Sequence, residues 1–436
     1  MKARTTAADA PVLVQAVSAN RSAWTGVALV FLFMLINYAD KAVIGLASVP
    51  IMRDLGLSHR QFGLLGSSFF LLFSLSGVAV GFLANRTSSK ILMLMMGIVW
   101  AAALLPLSAV STFNVLLASR VVLGAAEGPA FPVAMHFVYK WFGDQRRALP
   151  TSVVASGAAF GTGIVAPLIT WIIVHHGWHT AFVVLGSVGL GWACLWLVLA
   201  KEAPIERSPA AEAQSRPVPY WQLLLSRTAV GVYLAGFAAY WIIALNIIWL
   251  ANYLIEAVHM PPARAAWVIA LPSFMQMALA PGFAYLSQML TRRGYSSRVS
   301  RGLLGSLCVV FSGISLACVP LAGMGVLEIM LVGLSFSVGS VIFTLGTTLI
   351  GEISPKSQRG AMLAITNSIH TLAGLCAPLV MGLLVDINAD AVSGFRMGYA
   401  YAGALVAVLG ALAAVLIDPA ADTLKFAQNH APAAVA

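Results

Sequence analysis

Charge is the scarcest property of this sequence. Asp, Glu, Lys and Arg make up 9% of its 436 residues, and the acids number only 15. A water-soluble domain carries about 25%, so a soluble globular fold is excluded. Cysteine is nearly missing as well. Cys194, Cys308, Cys318 and Cys376 stand apart in apolar surroundings, with no CxxC pair, which excludes a disulfide scaffold and leaves four small packing residues. No His or Cys spacing suits a metal, and no nucleophile–base motif appears, so no metal, no cofactor and no enzyme activity are expected. The first 22 residues lack the apolar core of a cleavable signal, so the first apolar run should itself direct insertion.

Apolar residues dominate instead, at 60% of the chain. They fall into twelve runs, at about 24–50, 61–84, 91–110, 113–139, 150–174, 179–200, 228–256, 264–288, 301–322, 326–350, 361–385 and 395–417. Because lipid leaves every backbone polar group to be satisfied internally, the expectation is an all-α polytopic membrane protein with twelve transmembrane helices. The net charge of +10 does not point to nucleic acid, because the cations sit in short gaps between the runs. With the N-terminus inside, 19 of the 25 Lys and Arg residues face the cytoplasm, while Arg53, Arg60, Arg264 and Arg396 face out. The positive-inside rule then makes both termini cytoplasmic.

The expected organisation is an N-terminal tail (1–23), a six-helix half (24–200), a cytoplasmic linker (201–227), a second six-helix half (228–417) and a C-terminal tail (418–436). Within the linker, "YWQLLLSR" (220–227) suits a short interfacial helix. The halves are faintly alike: "QRRALPTSVVASGAAFGTGIVAPL" after the fourth run parallels "SQRGAMLAITNSIHTLAGLCAPL" after the tenth. Parallel repeats of six helices are the architecture of major facilitator transporters, whose substrate site lies between the halves.

Four ions interrupt the apolar runs. "INYADKAVIG" places Asp40 and Lys41 in the first, and "SRVVLGAAEGPAFP" places Arg120 and Glu127 in the fourth. Seven helical residues turn through about 700°, so Arg120 and Glu127 share a face. Gly124 and Gly128 between them form a GxxxG step that admits a close neighbour, and Pro129 and Pro132 mark a bend. Four unpaired mid-membrane ions would cost about 10–14 kcal/mol. They either form two buried pairs or line a water-filled path. Lys41, a cation in an apolar cavity, is expected to attract a carboxylate. Glu127 and Asp40 are expected to exchange protons, and Arg120 to be their ionic partner. Adjacent helical residues diverge by about 100°, so Asp40 and Lys41 need not pair with each other and can divide, one facing the fourth helix and the other the cavity. Tyr240, Asn246, Trp249 and Tyr253 of the seventh run read equally as cavity lining or as an aromatic packing face, and so do Phe69, Phe70 and Phe73 of the second. His136 and His370 read as hydrogen-bonded packing residues, and Glu256 and Asp386 as solvent-facing ends of runs.

"NYADKAVIGLA", "RVVLGAAEGPAFPVAMHFVYKWF" and "SQMLTRRGYSSR" resemble the anion:cation symporter family of the major facilitator superfamily, over residues 24 to 418. The resemblance implies a multi-pass protein of the bacterial inner membrane that imports an organic anion with protons, as a monomer. It carries functional roles onto Asp40, Lys41, Arg120 and Glu127. It also has departures. Lys41 stands where relatives carry Arg, a point charge in place of a planar fork. The superfamily's loop acid is Asn85 in "GFLANRTSSK", next to Arg86, and Gln288 in the second half, which implies a weakened inner gate at these residues. Polar substrate contacts read here as Phe73 and Ala158, although Asn367, His370 and Thr371 of "TNSIHT" keep polar groups for a ligand. That balance favours an apolar or aromatic acid. The alternatives are a sugar acid, an exchanger or exporter, and a receptor that binds without transporting.

Overall fold

The computed structural model describes residues 9–83, 87–109, 112–142, 146, 148–202, 218–323, 325–355 and 357–429. Among these, eleven helices are long and apolar enough to cross a membrane. They are α1 (Asp9–Leu46, crossing over Arg21–Leu46), α3 (Ser89–Ser108), α4 (Phe113–Trp141), α5 (Leu149–His176), α6 (Trp178–Leu199), α7 (Arg227–Ala257), α8 (Pro262–Arg292), α9 (Arg298–Leu321), α10 (Val326–Ile353), α11 (Arg359–Asp386) and α12 (Ala391–Leu416). The twelfth, α2 (His59–Leu83), has 25 residues and packs between α4 and α11. A last helix, α13 (Pro419–Asn429), follows α12. Asn85 and Arg86 and most of the linker lie outside the described residues.

Helix ends follow local chemistry. Thr112, Ser226 and Asp390 accept the backbone N–H three residues on, from Val115, Ala229 and Ser393, and so cap α4, α7 and α12. Gly128 and Pro129 break α4 into Phe113–Glu127 and Ala130–Trp141, as the prolines foretold. The expected short helix forms at Tyr220–Leu224, burying Leu223 and exposing Trp221.

The two halves, α1–α6 and α7–α12, meet along a seam on the rim where α2 begins. Small residues let backbones touch there. A Cβ built on Gly45 would lie 1.9 Å from Ile247 O, and one on Gly63 2.5 Å from Pro378 O. Thr162 Oγ1 meets Ser273 Oγ at 2.7 Å, and Leu379 N–H donates to Ser67 Oγ at 3.1 Å. The seam reaches down α2 to Ser74, whose hydroxyl bonds to Thr371 Oγ1 and whose carbonyl accepts from Ser368 Oγ at 3.2 Å.

At the opposite rim, carboxylates tie each half to itself. Glu202 accepts from Ser88 Oγ, from the Ser89 and Lys90 N–H groups at 3.2 and 3.0 Å, and from Lys140 Nζ at 2.6 Å. Burial opposes ionisation of Glu202, but these donors outweigh it and hold the carboxyl below its ordinary range. In the second half Glu352 accepts from Arg301 at 2.7 Å and Asp418 from Arg298 at 3.0 Å. Gln288 is exposed on α8.

Candidate functional site

The GxxxG step builds the site. A Cβ on Gly124 would lie 1.8 Å from Phe69 O, and one on Gly128 2.0 Å from Phe73 O. The α2 backbone therefore lies directly on α4, and this contact sets the Phe69 and Phe73 rings over the ions. Arg120 places its guanidinium 4.6 Å from the Phe69 ring centre, and Lys41 Nζ lies 4.9 Å from that of Phe73. Adding a methyl group at Gly124 must push the helices apart, because the obstruction is backbone. Gly124→Ala is expected to destabilise by about 1–3 kcal/mol, read as an earlier loss of monodisperse protein on heating.

Lys41 is the centre of the cluster. Its ammonium donates to Asn37 Oδ1 at 2.6 Å, lies 3.4 Å from Glu127 Oε2 and sits 4.5 Å from the Tyr38 ring centre. Asp40 lies within reach of the charges of Glu127, Arg120 and Lys41. Asp40, Lys41, Arg120 and Glu127 are each 5% exposed or less. Asp40 and Lys41 were expected to divide between α4 and the cavity. Instead both act on the α4 ions, and Lys41 also faces α2. Arg120, expected to pair with a carboxylate, rests on an aromatic face, and its Nε and Nη1 have no hydrogen-bond partner among the described residues, nor does Asp40 Oδ1. A buried guanidinium with open donors is poised to take an oxyanion.

Other expected residues divide by what their polar atoms already do. Tyr240 reaches across from α7, its ring 5.8 Å from Phe70 and its hydroxyl within range of the Glu127 charge. Thr371 joins the seam through Ser74, while Asn367 is exposed one helical turn away and Asn246 is half-buried. Two residues leave the site. Trp249 is fully buried, donates to Pro378 O at 2.9 Å and packs on Phe62 and Phe395, so its polar atom and ring are taken up by packing across the seam. His370 turns to α7, its Nε2 3.2 Å from Val232 O and its ring against Gly236. That is the packing role its isolation suggests. Sequence reading missed Asn37 and Tyr38. Their one available signal is position: Asn37 precedes Lys41 by one helical turn.

The sequence matches the family model described as Major Facilitator Superfamily over residues 30–338 and 232–434. It is 24% identical to the D-galactonate transporter of Escherichia coli O6:H1, across 93% of this chain and 97% of that one. It is 26% identical to the probable galactarate/D-glucarate transporter GudP of Bacillus subtilis, across 94% and 95%. Its backbone superposes with a TM-score of 0.75, at 16% identity, on the inward-facing, unoccupied crystal structure of a bacterial homologue of the human lysosomal transporter Spinster, covering 93% of this chain and 98% of that one.

Proposed function

Since the chain belongs to the major facilitator superfamily and is a multi-pass membrane transporter, we propose that it imports a hydroxylated organic carboxylate of the sugar-acid kind together with protons. The bacterial inner membrane is the proposed location, with the termini inside on the cation bias, so the rim where α2 begins faces out. The observation that carries the reading is the buried contact of Lys41 with Glu127, 3.4 Å apart between two aromatic rings. While Glu127 is ionised it occupies the cation. A proton on Glu127 frees Lys41, leaves the cluster one positive charge in excess, and makes a substrate carboxylate the natural counter-ion. Asn37 keeps the ammonium in place through the exchange.

Two considerations shift the substrate away from the apolar acid expected from Phe73 and Ala158. The Phe73 ring is committed to Lys41 and is a platform for the cation more than a wall for an aromatic ligand. Where the halves part, Ser74, Ser368 and Thr371, which bond to one another across the closed seam, would release hydroxyl partners of the kind a polyol needs. The relatives named above, a D-galactonate transporter and a probable galactarate/D-glucarate transporter, support the same class.

Proteoliposomes test this. D-Galactonate or D-glucarate is expected to accumulate when the outside is made acid, and the accumulation should collapse with a protonophore. Uptake of benzoate but of neither sugar acid would sink the substrate class. A strict need for preloaded anion would replace symport with exchange.

A further inference from the structure

The rim where α2 begins carries a second titratable cluster, remote from the ion site and built from three helices. His59 is the first residue of α2, at the lip of the apolar span expected over 61–84. Its Nδ1 lies 3.1 Å from Asp386 Oδ1 on α11, and its Nε2 lies 3.1 Å from Glu256 Oε2 on α7. Glu256 and Asp386, expected to face solvent, instead both face this imidazole. The Asp386 carboxylate also accepts the His59 and Arg60 backbone N–H groups at 3.1 and 2.9 Å, so an acid of one half caps a helix of the other. Ser58 and Gln61 close the same helix start with reciprocal bonds of 2.9 and 3.3 Å. Beneath the imidazole lie the Trp249 ring at 6.0 Å and the Phe395 ring at 6.3 Å, and Gly382 meets the His59 carbonyl.

We propose that His59 is a proton-operated latch that holds the two halves together at the outer rim. This rests on the outward orientation proposed above. The latch is assembled only when the halves meet, because its base comes from α2 and both acids come from the other half. Parting the rim separates the imidazole from both carboxylates at once and uncaps α2.

The direction of its pH response follows. The groups facing His59 are Glu256 from α7 and Asp386 from α11. The charge that α12 brings nearby, Arg396, acts on Asp390 and Tyr253, and Arg60 on α2 is exposed. The hydrogen bond to Glu256, with Asp386 adding to it against the opposing effect of burial, raises the His59 pKa above the ordinary 6.5. The closed form therefore binds the proton more tightly. The latch's contribution is complete below the open-state pKa, near 6.5, and is lost as pH rises through the raised closed-state value. Each unit separating the two values changes the closed-to-open ratio by about tenfold.

Spin labels read this without substrate or gradient, so a failed latch and a failed transport reading are distinguishable. Labels at Arg53→Cys and Ile387→Cys, both on exposed side chains, report the distance across the rim in nanodiscs, with the four native cysteines replaced. From pH 8.5 to 5.5 the short-distance population should grow by more than about twofold relative to the long one. In His59→Gln it should change by less than about twofold. Glu256→Gln, which leaves the Asp386 bonds in place, should keep a response with a midpoint moved to lower pH. An unaltered pH response in His59→Gln, an unmoved midpoint in Glu256→Gln, or no response in the parent would each overturn the latch.

Discussion

Lys41→Ala is expected to eliminate substrate binding while leaving a folded, less stable protein. Truncating one member of a buried hydrogen-bonded charge pair costs about 2–5 kcal/mol, or roughly 30- to several-thousand-fold in affinity. Here the lost group is the cation proposed to meet the substrate carboxylate, and its removal also strands Glu127, which is 1% exposed and has Lys41 as its ion-pair partner. The two losses separate in a double variant. Lys41→Ala with Glu127→Ala removes both charges, so much of the stability should return while binding does not. Lys41→Arg keeps the charge but replaces a point donor with a planar fork. It must fit that fork between Tyr38 and Phe73, so binding should survive with altered preference among acids. The check is a thermal shift with D-galactonate, since a ligand that binds the fold raises its apparent stability. A substrate-dependent shift persisting in Lys41→Ala would remove Lys41 from the site.

The ions were legible in the sequence because charge inside an apolar run is rare and costly, so four such residues identify themselves. A close helix contact on α4 was equally legible through Gly124 and Gly128, since small residues four apart serve close approach, but that α2 makes it was not. Helix rotation was not. Trp249 shares α7 with Tyr240, which reaches Phe70, and His370 shares α11 with Thr371, which joins the seam, and only the tertiary packing turns Trp249 to Pro378 O and His370 to Val232 O. Asn37 and Tyr38 stand beside the ions in the sequence, yet amides and phenols are common enough in packed helices to carry no signal alone. The His59 cluster was the least legible. Its partners lie 197 and 327 residues away, and each residue by itself reads as an ordinary polar helix end. A pair between distant spans leaves no local pattern.

Glu127→Gln is expected to uncouple transport from protons while sparing binding. The amide resembles the protonated carboxyl in shape and charge, so the variant holds permanently the state in which Lys41 is released from its 3.4 Å contact. Substrate should bind at least as well as in the parent, and exchange of external for internal sugar acid should continue. Accumulation should fail. A pH difference of one unit is worth about 1.4 kcal/mol, which concentrates a substrate carried with one proton about tenfold; the variant should reach only equality across the membrane. Its uptake should also be flat between pH 5.5 and 8, where the parent's rises toward acid. Asp40→Asn offers the contrast. Asp40 touches the cluster through charge and leaves the Lys41–Glu127 contact in place, so pH-driven accumulation should persist at a lower rate. The reverse pattern, with accumulation kept by Glu127→Gln and lost by Asp40→Asn, would move the proton to Asp40 and make Glu127 the fixed counter-ion that keeps Lys41 charged in an apolar cavity.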